Sequence, residues 1–139
     1  MNDAQHAALQ TYVRAIADQL LLRDWEIIVS RDHTDGDDPA LADIAVLAVE
    51  DYATVRVNVG FFVQTPTRQR ETVIHELIHA HTDRVKRVWN QINEQVKDND
   101  LLTFGWELQR RELEILVQKL ARILAPTLPL PDLPPGVHY

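Results

Sequence analysis

Cysteine is absent from this 139-residue chain, and methionine occurs only once. The absence of cysteine excludes disulfides, thiolate zinc sites and cysteine nucleophiles. No apolar run approaches the roughly 18 residues that a membrane span needs. The opening stretch MNDAQHAALQ also lacks the basic and apolar segments of a secretory signal. We therefore expect a cytoplasmic protein that does not associate with a membrane.

Positive charge is also scarce, because 14 Lys and Arg stand against 21 Asp and Glu, for a formal net charge of −7. Binding to nucleic acid without regard to its sequence requires a basic surface. We therefore expect no nucleic-acid partner. The hydrophobic content of 45% and the chain length fit a globular protein with one core.

The hydrophobic pattern of the first half predicts an α+β fold. Residues 3–22 place apolar side chains three and four positions apart, which indicates an amphipathic helix. Three short segments, 25–30, 43–49 and 53–59, are strand-like, and we expect them to form a small sheet of about three strands. Segment 43–49 is apolar on both faces, which favours a central position in that sheet.

Two further helices are predicted in the second half. Thr65 and Pro66 are typical of a helix start, and we expect this helix to continue to Val88 or beyond. Residues 97–105 interrupt the apolar pattern and predict a loop. A last helix is expected over residues 106–124, where Pro126 would stop it.

The chain is expected to divide into one domain, residues 1–125, and a tail, residues 126–139. The tail holds five of the seven prolines, which favour an extended conformation. Residues 31–40 are acidic and contain Gly36 and Pro39. We interpret this stretch as a solvated loop, since its spacing fits no calcium loop.

The chemistry is concentrated in His75-Glu76-Leu77-Ile78-His79, an HExxH motif in the second predicted helix. Residues four apart lie on one helix face, so both imidazoles can reach one zinc ion at about 2.0 to 2.1 Å. Glu76 is then placed to act as general base on a metal-bound water. The competing interpretation is a pair of surface histidines on an ordinary helix.

A catalytic zinc site of this kind needs a third protein ligand. The pattern HExxHxxGxxH does not apply, because Thr82 and Val85 occupy its glycine and last histidine positions. Asp83 fits the role of a ligand's partner or of a surface residue better than that of a ligand.

Three glutamates of the last helix remain as candidates. Measured from the centre of that helix's apolar stripe at roughly 100° per residue, Glu114 lies about 60° away, Glu107 about 80°, and Glu112 about 140° on the opposite side. Glu114 is therefore the favoured third ligand, with Glu107 as the alternative. Glu114 would otherwise be a boundary residue paired with Arg110 or Lys119.

These segments together resemble the core of the gluzincins, a family of zinc peptidases, in a minimal single-domain form. The stretch VIHELIHA, residues 73–80, is typical of such families, and EILVQKLA, residues 114–121, is similar to their glutamate helix. The stretch DWEI, residues 24–27, also resembles small uncharacterised HExxH proteins of phages and prophages. The resemblance implies a zincin-like fold, a catalytic role for Glu76 and a Zn²⁺ cofactor. The ligands that it implies are His75, His79 and Glu114.

We predict a zinc-dependent peptidase that acts on a peptide or protein substrate. Segment 53–59 is a candidate edge strand that pairs with an extended peptide. Tyr52 and His81 are candidates for steadying the oxyanion. The alternative is a non-enzymatic phage or host interaction module that keeps the fold and the metal. The presence of Glu76 argues against it, because a structural metal site needs no general base. The acidic charge disfavours a DNA-associated protease.

The tail leads to one more hypothesis. It follows the glutamate helix directly and ends in His138 and Tyr139, which could approach a metal. An extended tail loses little further entropy on docking. We therefore hypothesise that residues 126–139 lie across the cleft and restrain activity. The alternative is a loose or surface-docked tail.

Overall fold

The computed structural model describes residues 1–34 and 40–136, and it confirms the α+β class. Three helices accompany a small mixed sheet of three strands. Residues 35–39 of the predicted acidic loop therefore lie outside the described residues. In chain order the elements are α1 (Asp3–Gln19), β1 (Glu26–Val29), β2 (Ala42–Leu47), β3 (Tyr52–Val57), α2 (Pro66–Asn93) and α3 (Asn99–Leu124), with short 3₁₀ turns at Phe61–Val63 and Ala125–Thr127. Within these ranges, no helix combines the length and the apolar character that crossing a membrane would require.

The strands lie in the order β1-β3-β2, with β1 parallel and β2 antiparallel to β3. The prediction that segment 43–49 is the central strand is therefore wrong, and so is the prediction of an edge strand at 53–59. The central strand is β3, whose inward side chains Ala53, Val55 and Val57 are fully buried. Apolar character reports which faces are covered, whereas a central position depends on pairing along both edges.

Helix α1 covers one edge of this sheet. The side-chain amide of Gln10 donates to the carbonyl of Ile27 at 2.9 Å and accepts from the N–H of Val29 at 2.7 Å. His6 also contacts the carbonyl of Val29, at 2.8 Å. These backbone groups belong to the side of β1 that faces away from β3. The edge of β1 is therefore occupied, whereas no described strand pairs with the outer edge of β2.

Helix α2 begins where the sequence predicts. The hydroxyl of Thr65 accepts from the N–H of Arg68 at 3.3 Å, and Pro66 occupies the first turn. The helix is 28 residues long, so it continues well past the sheet, to Asn93. Its core-facing side is buried and includes Val73, Ile74, Leu77 and Ile78.

The loop predicted over residues 97–105 is wrong, because α3 already begins at Asn99. The carboxylate of Asp98 caps it by accepting from the N–H of Leu101 at 3.0 Å. Gly105 lies inside the helix, where a Cβ atom would meet the side-chain oxygen of Asn93 at 3.3 Å. This glycine permits close packing of α3 on the end of α2 and does not interrupt the helix.

The described part of the tail runs along α1 and the first half of α2. Three of its backbone carbonyls accept hydrogen bonds from side chains of these helices. Arg70 donates to Leu128 at 2.9 Å, Tyr12 donates to Pro129 at 2.8 Å, and Gln5 donates to Pro135 at 3.1 Å. Leu128 itself is buried against the core. Three side chains on two helices thus fix the course of the tail.

The hydrogen bond from Tyr12 to the tail leads to a pH-dependent prediction. Burial raises the pKa of Tyr12 to about 12 from 10.0, against a smaller opposing effect of Arg70. Because the folded-state pKa is the higher one, the neutral phenol stabilises the fold fully below pH 10, and this contribution is lost as the pH rises towards about 12. We expect Tyr12→Phe to cost about 1 kcal/mol at neutral pH and to flatten the alkaline fall in the free energy of unfolding.

Urea unfolding of the two proteins between pH 7 and pH 11 measures both effects. Tyr52→Phe controls for the loss of a tyrosine in the sheet. An alkaline fall in Tyr12→Phe as steep as in the wild type would contradict the assignment.

Candidate metal centre

The two histidines of the HExxH motif lie on the face of α2 that turns away from the apolar core. Val73 and Leu77, on the opposite face, are buried and fix the rotation of the helix. His75 and His79 follow each other by one turn and face α3, which returns along α2 after a short connection. The core-facing residues thus orient the histidines through the helix itself.

Glu114 completes a group of three side chains. One of its carboxylate oxygens, Oε2, lies 3.4 Å from Nε2 of His75, and the other, Oε1, lies 3.2 Å from Nε2 of His79. The two Nε2 atoms are themselves 3.2 Å apart. These three donors are the cluster of possible metal-binding atoms found among the described residues.

The spacing of these donors can be tested against zinc geometry. Four ligands at about 2.0 to 2.1 Å in a tetrahedron are separated from one another by about 3.3 to 3.4 Å. The Nε2–Nε2 separation of 3.2 Å lies close to that value, and each imidazole has a carboxylate oxygen of Glu114 at 3.2 or 3.4 Å, a different oxygen for each ring. The two imidazoles therefore fit two corners of a zinc tetrahedron, and the carboxylate of Glu114 is close enough to supply the third, which leaves the fourth for water or substrate.

The electrostatics of His79 suit a metal ligand. Burial lowers the pKa of this imidazole below its ordinary 6.5, and the positive charges of His75 and Lys86 act in the same direction. The carboxylate of Glu114 opposes them. A lowered pKa keeps the ring nitrogen unprotonated at neutral pH, which is the state that binds metal.

Glu76 lines the same cleft as the three donors. Its side chain is 8% exposed, whereas the carboxylate of Glu114 is about half exposed. The cleft has a volume of about 610 Å³ and opens to solvent. A buried carboxylate beside a metal-binding group at the bottom of an open cleft is the arrangement that a general base requires.

Strand β2 forms one wall of this cleft. Residues 42–46 all line it, opposite the helical wall formed by α2 and α3. Asp43, the charged residue of this stretch, is held by Arg56 through two hydrogen bonds of 2.9 and 2.5 Å. The cleft is therefore bordered by a strand whose outer edge is unpaired among the described residues.

The other glutamates of α3 lie further from the histidines. Glu112 is exposed and contacts Arg111 at 3.4 Å, as expected for a solvent-facing residue. Glu107 lines a neighbouring groove that shares Arg110 and Glu114 with the cleft. The ion pairs found for Glu114 are with the histidines, so the alternative pairing with Arg110 or Lys119 does not occur.

Three other sequence candidates occupy different places. His81 donates to the carbonyl of Leu20 at 2.7 Å, and the hydroxyl of Tyr52 accepts from Thr54 at 3.3 Å. Neither lines the cleft, so the structure gives no support to either as the group that steadies the oxyanion. Asp83 does line it, with its carboxylate 2.8 Å from Arg87.

The tail hypothesis is wrong for the residues that the structure describes. Residues 126–136 lie on α1 and on the first half of α2, and none of them lines the cleft. The hydrogen bonds from Gln5, Tyr12 and Arg70 hold them there. His138 and Tyr139 lie outside the described residues.

Two cleft residues, Lys86 and Arg110, were not placed there by the sequence pattern. Helix spacing is the signal that could have found them. Lys86 follows His79 by seven residues and Arg110 precedes Glu114 by four, so each shares a helix face with a metal-binding candidate.

Comparison with protein-family models, curated proteins and solved structures gave no match to this chain. The geometry of the cleft and the chemistry of the residues that line it are therefore the basis for assigning a function.

Proposed function

We propose that this protein is a zinc-dependent peptidase with a minimal gluzincin-like domain. The observation that carries the proposal is the convergence of His75, His79 and Glu114 beside Glu76. The two Nε2 atoms are 3.2 Å apart, and each lies 3.2 to 3.4 Å from an oxygen of the Glu114 carboxylate. Three protein ligands with one open position is the arrangement of catalytic zinc sites, whereas structural sites are closed by four.

Two features favour zinc and hydrolysis over other chemistry. Two imidazoles with one carboxylate are a known zinc ligand set, although the same set also serves non-haem iron in oxygenases. The buried Glu76 distinguishes the two, because hydrolysis requires a proton acceptor next to the attacking water. When bound, the zinc would lower the pKa of a water molecule and polarise the scissile carbonyl.

The proton transfers are assigned to Glu76. Its carboxylate takes a proton from the attacking water and then delivers it to the nitrogen of the leaving amine. Because Glu76 directly follows His75 on α2, the ligand and the base move as one rigid unit. The carboxylate of Glu114, on the facing helix, holds the other side of the donor group.

The substrate is proposed to bind as an extended peptide along β2. The N–H and C=O groups on the outer edge of this strand are free of strand partners among the described residues, and strand addition would satisfy them. Strand β1 cannot serve in this way, since Gln10 and His6 occupy its edge. The substrate strand is thus assigned to β2, in place of the segment 53–59 favoured by the sequence.

A peptide library incubated in ¹⁸O-enriched water tests the proposal. The zinc-loaded protein is expected to produce fragments with ¹⁸O in their new carboxyl termini, and protein stripped of metal by a chelator is expected to produce none. Absence of fragments with zinc-loaded protein would contradict the proposal and favour the interaction module.

A further inference from the structure

Two basic side chains line the cleft near the metal-binding group. Lys86 on α2 and Arg110 on α3 both line it. Gln109, the neighbour of Arg110, donates to the backbone carbonyl of Lys86 at 3.4 Å, which places the two cations at the same level of the helix pair. Both are exposed, so their charged ends reach solvent and substrate.

Neither cation has an ion-pair partner among the described residues. Over residues 1–34 and 40–136, no ion pair is formed by the ammonium of Lys86 or the guanidinium of Arg110, although nine ion pairs are found there in total. The aspartates of the cleft are already paired, Asp83 with Arg87 and Asp43 with Arg56.

The remaining acidic groups form no ion pair with these two cations among the described residues. Glu76 and Glu114 carry two negative charges, which the two positive charges of a bound zinc would balance. Glu107 lines only the adjoining groove and makes no ion pair in the described part of the chain. A third groove, which shares His75 and Glu76 with the cleft, differs because its arginine, Arg68, is 3.8 Å from the carboxylate of Glu71.

We propose that Lys86 and Arg110 form a carboxylate-binding subsite of the cleft. The protein then prefers peptides that present a carboxylate near the scissile bond, either an Asp or Glu side chain or a free C-terminus. This inference rests on the proposed peptidase function. It adds the chemical class of substrate, which neither HExxH nor the donor group specifies.

Helix geometry gives the position of that carboxylate. At 1.5 Å per residue, Lys86 lies about 10 Å beyond His79 along α2, and Arg110 lies about 6 Å from Glu114 along α3. An extended peptide advances about 3.3 Å per residue. The preferred carboxylate therefore lies about two to three residues from the bond that is cut.

The test uses a peptide that the zinc-loaded protein cleaves. Glu or Gln is placed two or three residues from the scissile bond, on either side, in C-terminally amidated peptides. In the second arm, a Gln peptide ends at the same distance from the scissile bond with a free C-terminal carboxylate. We expect kcat/KM to be about tenfold higher for the better carboxylate peptide, the effect of one charge-assisted hydrogen bond. The arm that shows the gain identifies the source of the carboxylate.

The double variant Lys86→Met, Arg110→Gln is expected to lose this preference and to keep its zinc content. Its matched control is Lys119→Met, Arg122→Gln, which removes the same charges from exposed positions of α3 that line none of the three grooves. The control is expected to keep the full preference. Equal kcat/KM of the wild-type protein for all the peptides, or a preference that survives in the double variant, would overturn the proposal.

Binding provides a readout that does not depend on hydrolysis. Fluorescein-labelled Glu and Gln peptides are titrated with zinc-loaded Glu76→Gln protein, with and without the two cleft substitutions. We expect the Glu peptide to bind about tenfold more tightly than the Gln peptide, and we expect this difference in affinity to shrink as salt is added. A carboxylate preference in binding without hydrolysis by the wild type would support the subsite and refute the peptidase function. Equal binding of both peptides would refute the subsite alone.

Discussion

Glu76→Gln is expected to bind zinc like the wild type and to hydrolyse peptides about 100 to 10,000 times more slowly. The side chain lies in the cleft beside the donor group but does not belong to it. Gln has nearly the same shape and cannot accept the proton of the attacking water. The loss should therefore appear in kcat, with little change in KM.

Hydrolysis by the purified variant, at matched zinc content, measures this effect. Glu112→Gln is the control, since it makes the same change on the exposed side of α3. A Glu76→Gln protein as active as the wild type would remove the general base from the mechanism. The hydrolysis would then not arise from this site, in keeping with a module that binds metal without catalysis.

Substitution of a metal ligand is expected to have the second large effect. His75→Ala and His79→Ala each remove one of three donors, and we expect zinc affinity to fall more than about 100-fold, since loss of even an outer partner costs about 10- to 100-fold. Glu114→Ala should also weaken binding strongly, because its oxygens lie 3.4 and 3.2 Å from the two imidazoles.

Competition with a chelator of known zinc affinity measures these losses. Glu107→Ala and Glu112→Ala remove carboxylates from the same helix and serve as matched controls that keep the metal. Zinc also raises the melting temperature of a protein that binds it only when folded. The increase in melting temperature on adding zinc should therefore vanish in the histidine variants. Loss of zinc in Glu107→Ala but not in Glu114→Ala would refute the assignment of the third ligand.

The parts of the site that the sequence predicts are those governed by local geometry. The four-residue spacing of His75 and His79 places both on one helix face, whatever the rest of the chain does. The apolar stripe of α3 fixes the rotation of that helix, which is why Glu114 could be ranked ahead of Glu107 and Glu112. Thr65 and Pro66 likewise specify the start of α2 through contacts within one turn.

The parts that the sequence did not predict depend on partners far away in the chain. The central position of β3 follows from its pairing with β1, which comes much earlier in the chain. Glu26 lies opposite Tyr52 and Val29 lies opposite Val55, so the partners are about 26 positions apart. The course of the tail depends on Gln5 and Tyr12, 130 and 117 residues away from their acceptors. Hydrophobic periodicity carries no information on such pairs, because it reports which face of an element is buried and not what covers it.

Titration of metal-free protein with zinc, with hydrolysis and bound zinc followed together, tests the central claim most directly. If His75, His79 and Glu114 hold the catalytic zinc, the rate should rise in proportion to bound zinc and level off at about one zinc per chain. A chelator should return the rate to baseline. One zinc bound per chain with no hydrolysis of any peptide would contradict the account.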